Sequence, residues 1–400
     1  GNLFLACAGM NVDGRQFIQQ AIENGAVAVV AEKGFDLSTK TFSSPAKGFN
    51  KHSDNSNDSL ADIDSVPVIE LEGLSHQAGF IASRYFDNPS KKLKVIGITG
   101  TNGKTTTAHL LSEVLKQVTG CCGIAGTLGM GTVVKGEIVV KGEIDGNSLL
   151  DTGFTTPDAV VLQAQFYEWV QTGVEWVVLE VSSHGLDQGR LNGTHFYGAV
   201  LTNVTRDHFD YHGDFESYSK AKQTLFEWPS LQVGILNSDD DCCGPFQNCL
   251  SSSVNAYTYG FGLDADFKIS ALNLSAQGLN FDLQIPTDLN TDLISDSITL
   301  SSPLFGEFNA YNLAATSAVL LSLGFDTAAI QQLDKVNGPQ GRMQSIVMDS
   351  TIDDVTKSEL SEGVPTVIVD YAHTPDALEN ILKSGVYLAV VVIVIRESVR

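Results

Sequence analysis

The residues most able to do chemistry lie where an apolar run meets a glycine-rich turn. Val95-Ile96-Gly97-Ile98-Thr99 leads into Gly100-Thr101-Asn102-Gly103-Lys104-Thr105-Thr106-Thr107. A strand, a tight turn and a helix start in that order aim backbone N–H groups and the positive end of a helix at one point, which suits a phosphate. Lys104 would reach the β- and γ-phosphates of a nucleotide, and the Thr105 hydroxyl would ligate Mg²⁺. The spacing departs from the usual G-x-x-x-x-G-K-T, because Ile98 stands at the first glycine position. An ordinary strand-to-helix turn could carry Lys-Thr, but the strand before it and the threonines after it favour nucleotide binding.

Four further segments carry reactive side chains. Glu180-Val181-Ser182-Ser183-His184-Gly185 ends an apolar run, where a carboxylate can hold a metal directly or through water. Thr202 to Asp214 packs two histidines and three aspartates after another such run, which suits a metal or substrate site; a satisfied polar loop explains it nearly as well. The next helix carries Lys220 and Lys222, two apart and so on different faces, which taken alone reads as two solvated lysines. Arg342, in Gly341-Arg342-Met343, offers a bidentate fork for phosphate or carboxylate. Asp370, which opens Asp370-Tyr371-Ala372-His373-Thr374-Pro375-Asp376, could accept from a ribose hydroxyl. A surface arginine and a capped turn account for these last two as readily.

The elements that must position these groups follow from periodicity. Residues 2–8, 26–31 and 66–71 read as strands, with helices at 15–24 and 75–85. Between them, residues 34–65 turn to Ser, Asn, Asp and Lys, a surface loop. Asp87-Asn88-Pro89-Ser90 breaks the chain and marks a domain boundary. Beyond it, Val/Ile/Leu-rich runs at 94–99, 176–181, 199–204 and 233–237 alternate with helical stretches, the pattern of a parallel sheet covered on both faces. Residues 254–305 alternate more strictly and predict antiparallel edge strands. A helix follows at 309–323, then a linker at Asn337-Gly338-Pro339, a strand at 366–369 and a helix starting at 375–383. The expected domains are 1–89, 90–336 and 337–400.

Composition narrows the function classes. The 400 residues carry 24 Lys+Arg against 47 Asp+Glu, a formal net charge of −23, with 43% hydrophobic residues. Such a chain does not work by embracing nucleic acid or by docking on anionic lipid. Local cations can still hold phosphate-bearing ligands. No stretch reaches the eighteen or more apolar residues of a membrane span, and no basic start with an apolar core marks a signal peptide. The six cysteines form no C-x-x-C pair, and reduced thiols in a cytoplasmic protein are the simplest account.

Taken together, the segments resemble the Mur ligases, the ATP-dependent enzymes that add amino acids to the peptidoglycan precursor. The motifs are Gly100 to Thr106, Glu180 to Gly185, Asn203 with Asp207-His208, Phe308-Asn309 with Asn312, Gly341-Arg342-Met343 and Asp370 to Asp376, in the family's order. Thr155-Thr156-Pro157-Asp158, Ser182 to Leu186 and Asp210 to Gly213 are similar to the MurE branch, which attaches the third residue to UDP-N-acetylmuramoyl-L-alanyl-D-glutamate. The resemblance implies an α/β fold of three domains. These are a small N-terminal domain for the UDP-precursor, a central P-loop parallel-sheet ATPase and an incomplete Rossmann-like C-terminal domain.

It also implies roles. Gly100, Thr101, Asn102, Gly103, Lys104, Thr105 and Thr106 would hold ATP, with Asn309 facing the adenine and Arg342 and Asp370 joining from the third domain. Thr105 and Glu180 would attend one Mg²⁺ and His208 a second. Lys222 matches a position the family converts with CO₂ to a carbamate. Thr155, Thr156, Ser182, Gln188 and Arg190 would contact the UDP-sugar-peptide. ATP would phosphorylate the D-glutamyl carboxylate, and a diamino acid, diaminopimelate or lysine, would attack the acyl phosphate. A monomer is the family's usual state.

Two departures stand out. The chain opens on Gly1, downstream of a Ser-containing segment that helps hold uridine in the family. Its similarity stops near Lys383, before the region that recognises diaminopimelate, and Ser384 to Arg396 does not resemble the family. Residues 386–395 are an uncharged, β-branched-rich run, expected to lack a partner strand and to come from a frameshift or broken gene model. A folylpolyglutamate-synthetase-like ligase and a non-catalytic nucleotide-binding remnant are the alternatives.

Overall fold

The computed structural model describes residues 2–9, 12–34, 66–139, 149–275, 277–289, 296–346, 366–370, 372, 379 and 390–394. The polar stretch from 35 to 65, the helix expected at 375–383 apart from Glu379, and most of the C-terminal tail lie outside them.

The chain begins with β1 (Asn2–Ala6), α1 (Ile18–Glu23), β2 (Ala26–Glu32), β3 (Val68–Leu71) and α2 (Leu74–Tyr85). The three strands form a parallel sheet in the order β1-β2-β3. Its small core is Ala6, Ile18, Ile22, Val29 and Ala31. The Glu32 carboxylate accepts from the N–H groups of Gly73 (2.8 Å) and Leu74 (2.7 Å), so the end of β2 caps the start of α2.

The middle of the chain runs β4 (Lys94–Thr99), α3 (Lys104–Thr119), β5 (Cys121–Gly126), β6 (Gly129–Val134), β7 (Glu137–Val139), α4 (Ala159–Gln171) and β8 (Trp176–Glu180). It continues with α5 (Ser183–Asp187), β9 (Phe196–Leu201), α6 (Phe209–His212), α7 (Phe215–Gln223), β10 (Val233–Asn237) and α8 (Cys243–Gln247). Then come β11 (Asn255–Gly260), β12 (Phe267–Ser275), β13 (Gly278–Gln284), β14 (Ser297–Ser302), α9 (Glu307–Ser322) and α10 (Thr327–Ile330). All eleven strands join one sheet, ordered β14-β13-β12-β11-β10-β9-β4-β8-β5-β6-β7.

From β12 to β5 this sheet is parallel, and both faces are covered. Alternate residues therefore feed two cores: Ile96, Ile98, Trp176 and Val178 on one face, Val95, Val177 and Leu179 on the other. The expected antiparallel edge at 254–305 needs correction. β11 is parallel to β10 and extends the central sheet; only β12, β13 and β14 pair antiparallel with one another. β11 ends in buried residues, so its alternation does not mark an open face.

The third sheet, β15 (Gln344–Ile346), β16 (Thr366–Asp370) and β17 (Val390–Val394), corrects a second expectation. The apolar run near the C-terminus does have a partner: β17 pairs in parallel with β16, Thr366 opposite Val390 through Asp370 opposite Val394. Among the described residues, no helix is long and apolar enough to cross a membrane.

The first sheet is locked to the middle one by α2. Gly79 packs on the Asn192 carbonyl so closely that a Cβ would overlap its oxygen. Ser83 Oγ donates to Gly193 O at 3.0 Å, and Asn192 Nδ2 to His76 O at 2.8 Å. Gly79→Ala should lower stability by about 1–3 kcal/mol through that overlap. Gly244→Ala, in α8 with open space around it, should be neutral or raise stability by about 0.5 kcal/mol. Thermal unfolding of the two variants checks both.

Candidate active site

The strand order reverses around β4, with β8 on one side and β9 on the other. Ligands in such sheets sit beyond the carboxyl ends at the reversal. Three of the chemistry-bearing segments leave those three adjacent strands: Gly100 to Thr106 after β4, Ser182 to Gly185 after β8, Thr202 to His208 after β9.

The loop after β4 is held by the segment after β9. Thr101 N donates to Asn203 O (2.7 Å) and Asn102 N to Asn203 Oδ1 (2.9 Å). Thr202 Oγ1 donates to Asn102 O at 2.6 Å, and Thr101 Oγ1 bonds Tyr218 OH at 2.9 Å. Gly100 has φ +147°, and a Cβ there would overlap Thr202 Oγ1, so only glycine fits. The loop delivers the chain to α3 with Gly103 as N-cap and no side-chain cap. The first N–H groups of this sixteen-residue helix thus keep the donor capacity that helix geometry leaves them.

Cations gather at this point. Lys104 Nζ donates to Gly100 O (2.8 Å) and Thr101 O (2.9 Å). Lys222, 1% exposed on α7, donates to the same Gly100 O at 2.8 Å and lies 4.5 Å from the Tyr218 ring. Burial, then the Lys104 charge, pushes the Lys222 amine well below the ordinary lysine range; Asp207 opposes this. Lys104 is lowered by burial and by Arg342, against Glu180 and Asp207. The Arg342 charge therefore bears on Lys104 from beyond the linker. The reading of two solvated lysines is corrected. Lys220 is exposed and paired with Glu227 at 2.6 Å, while Lys222 points into the sheet's carboxyl edge.

Opposite the cations stands Glu180, 2% exposed at the end of β8. Its Oε2 accepts from Thr105 Oγ1 (2.9 Å) and Thr127 Oγ1 (3.1 Å), and Oε1 accepts from Thr127 N (2.9 Å). Thr127, after β5, is a residue that sequence reasoning missed; its signal is a strand end beside the β8 carboxylate. Among the described residues, no group of three or more His, Cys, Asp and Glu could hold a metal ion. Thr105 and Glu180 still fit Mg²⁺, which takes one or two protein oxygens and completes its shell with phosphate and water. His208 Nε2 is 3.3 Å from Asp207 Oδ2, and its ring is 4.8 Å from that of His184. Its backbone is left-handed, φ +54°.

The remaining expected residues form two groups. Thr156 Oγ1 donates to Glu180 O (3.0 Å) and accepts from Ser182 N (2.9 Å), so this buried hydroxyl pins the segment before α4 to the end of β8. Ser182 Oγ caps α5 by accepting from Gly185 N at 3.0 Å. Thr155 Oγ1 is 3.2 Å from Thr127 Oγ1. Arg190 Nη1 donates to Thr156 O at 2.9 Å, and its Nε donates to Gln188 Oε1 at 2.9 Å. On the other side, Asn309 Nδ2 donates to Phe305 O (2.7 Å) and Asn312 Nδ2 to Asn309 Oδ1 (2.9 Å). Thr107 Oγ1 donates to Asn312 Oδ1 at 3.2 Å, which fastens α9 to α3. Asp370 accepts from Met343 N and Ala372 N, both at 2.7 Å, and so organises the chain beside Arg342.

Comparison with known proteins gives this geometry its context. A family model described as Mur ligase middle domain matches residues 98–320, and one described as Mur ligase family, catalytic domain, matches residues 1–77. A UDP-N-acetylmuramoyl-L-alanyl-D-glutamate–2,6-diaminopimelate ligase from Coxiella burnetii is 36% identical over 390 residues, covering 96% of this chain and 68% of that relative. A solved structure of a ligase of the same description is similar with a TM-score of 0.72 at 30% identity, over 97% of this chain and 68% of that one. A folylpolyglutamate synthase from Mycobacterium tuberculosis has a TM-score of 0.58 at 18% identity, over 78% of this chain and 70% of that one, which shows a shared fold alone.

Thr202→Val should leave the Asn102 carbonyl without its hydroxyl partner and loosen the loop. The expected cost is about 1–3 kcal/mol of stability and several-fold weaker ADP binding. Calorimetric titration with Mg·ADP, beside thermal unfolding, checks it.

Proposed function

The chain belongs to the Mur ligase family, and on that premise we propose how its residues share the work of an ADP-forming ligase. The reaction joins 2,6-diaminopimelate to UDP-N-acetylmuramoyl-L-alanyl-D-glutamate, a step of peptidoglycan precursor synthesis. The observation that carries the assignment of roles is the meeting of Lys104, Lys222, Thr105 and Glu180 at the carboxyl ends of β4 and β8. Identity to relatives named for diaminopimelate favours that amino acid over L-lysine, and favours this ligase over a folylpolyglutamate synthase.

A carboxylate is a poor electrophile until its oxygen becomes a leaving group. Magnesium ATP, when bound, supplies the phosphoryl group. The loop amides and Lys104 would hold its β- and γ-phosphates, Thr105 and Glu180 would hold the Mg²⁺, and His208 would serve a second ion. Asn309, Arg342 and Asp370 complete the nucleotide side. Thr155, Thr156, Ser182, Gln188 and Arg190 orient the UDP-sugar-peptide so that its D-glutamyl carboxylate meets the γ-phosphorus. The carboxylate takes the phosphoryl group as the bond to ADP breaks; the amine of diaminopimelate then attacks the acyl carbon, an amide bond forms with loss of a proton, and phosphate leaves.

Lys222 suits a carbamate on chemical grounds. Burial and Lys104 favour its neutral amine, whose lone pair attacks CO₂, forming an N–C bond and releasing a proton. The product is an anion beside the Lys104 cation, where a protonated side chain would be a second like charge. The proposed domains follow the sheets: 1–89 for the UDP-precursor, 90–336 for ATP, 337–400 for closure over the nucleotide.

The test is release of ADP and phosphate from Mg·ATP. It should require both the UDP-dipeptide and diaminopimelate, and Lys104→Ala should reduce it by about two orders of magnitude or more. Release stimulated by folate and glutamate instead would contradict the assignment.

A further inference from the structure

Tyr211 is absent from the roles above, yet it ends a directed chain of hydrogen bonds that reaches Arg190. Its hydroxyl donates to Asp187 Oδ2 at 2.7 Å. It accepts from Gln188 Nε2 at 3.2 Å. Gln188 Oε1 accepts from Arg190 Nε at 2.9 Å and Nη2 at 2.6 Å. Arg190 Nη1 reaches Thr156 O at 2.9 Å, and the guanidinium carbon lies 4.4 Å from the Phe154 ring centre.

The directions in this chain are forced. An ionised carboxylate only accepts, so the single phenolic proton goes to Asp187. The phenol oxygen can then only accept, and Gln188 must present its NH₂ to it. That fixes the amide flip and leaves the Gln188 carbonyl facing Arg190. The carbonyl takes two guanidinium N–H groups, Thr156 takes a third, and Phe154 sets the plane. Two of the five N–H donors remain to meet a ligand's oxygens. With the opposite flip, Gln188 would turn a donor toward a cation and push the guanidinium away.

We propose that Tyr211, oriented by Asp187, is a positioning residue that locks the Gln188 amide and thereby aims Arg190 at the anionic UDP-sugar-peptide. This rests on the assignment of Gln188 and Arg190 to that substrate. Tyr211 acts through them and does not touch the reacting atoms. Its ring, 4.2 Å from that of His184 and 4.8 Å from that of His212, is held by packing that phenylalanine keeps. Tyr211→Phe therefore removes the hydrogen-bond relay and little else.

The experiment titrates the 400-residue chain with UDP-N-acetylmuramoyl-L-alanyl-D-glutamate and, separately, with Mg·ADP. Tyr211→Phe and Asp187→Ala should each weaken the UDP-dipeptide by about tenfold, the scale of one lost hydrogen bond to a charged network. Binding of Mg·ADP and the thermal midpoint should stay unchanged. UDP-dipeptide binding within twofold of the unaltered chain in either variant, while Arg190→Ala weakens it at least tenfold, overturns the relay and leaves Arg190 its role. If Arg190→Ala also binds unchanged, the assignment of Arg190 falls and the relay with it. Equal weakening of both ligands with a lowered midpoint overturns the proposal in favour of a structural role.

Discussion

Two lysine nitrogens share one carbonyl oxygen just beyond the carboxyl end of β4. Lys104 and Lys222 each donate to Gly100 O at 2.8 Å, which places the two nitrogens no more than twice that distance apart. At an effective dielectric of about 20, two ammonium charges that close would repel by roughly 3 kcal/mol or more. Burial adds to that cost for Lys222. The carbonyl dipole, the Tyr218 ring and the Asp207 carboxylate offset only part of it. An arrangement so short of negative charge fits a site where phosphate supplies what is missing. The same shortage makes the Lys222 nitrogen easier to deprotonate and so more reactive.

The rest of the middle sheet serves to keep that arrangement stiff. The loop carrying Gly100 cannot relax away from the cations, because Thr202 and Asn203 hold its backbone from the neighbouring strand. Glu180 cannot swing toward them freely, because Thr105 and Thr127 both bond its carboxylate. Asn312 fastens α9 to α3 and bonds Asn309, so Asn309 is tied to the helix that the loop opens. On the other side, Thr156 joins the β8 end to Arg190, which links acceptor binding to the strand that carries Glu180.

Much of this was legible in the sequence. The apolar run before Gly100 and the Lys-Thr after it give the strand, loop and helix directly, and the Val/Ile-rich runs give the parallel sheet. What escaped has physical reasons. Lys220 and Lys222 look alike on a short helix, and only packing against the loop separates a buried amine from a solvated one. Thr127 follows a strand, β5, whose place beside β8 comes from a crossover, which local pattern does not encode. Tyr211 reads as part of a motif, but the direction of its hydrogen bonds exists only once α5 and α6 meet. The β-branched run near the C-terminus looked unpartnered because its neighbour, β16, is set by long-range pairing. Residues 255–260 read as edge because their alternation matches a half-exposed strand, whereas parallel pairing to β10 puts them inside the sheet.

The most direct test of the central claim is a crystal structure of the 400-residue chain with Mg·ADP. The account predicts that Lys104 Nζ leaves Gly100 O for a phosphate oxygen. The loop backbone from Gly100 to Gly103, held by Thr202 and Asn203, should stay where it is, and Mg²⁺ should lie beside Thr105. Nucleotide bound elsewhere, or a loop that refolds while Lys104 keeps its bond to Gly100, would contradict it.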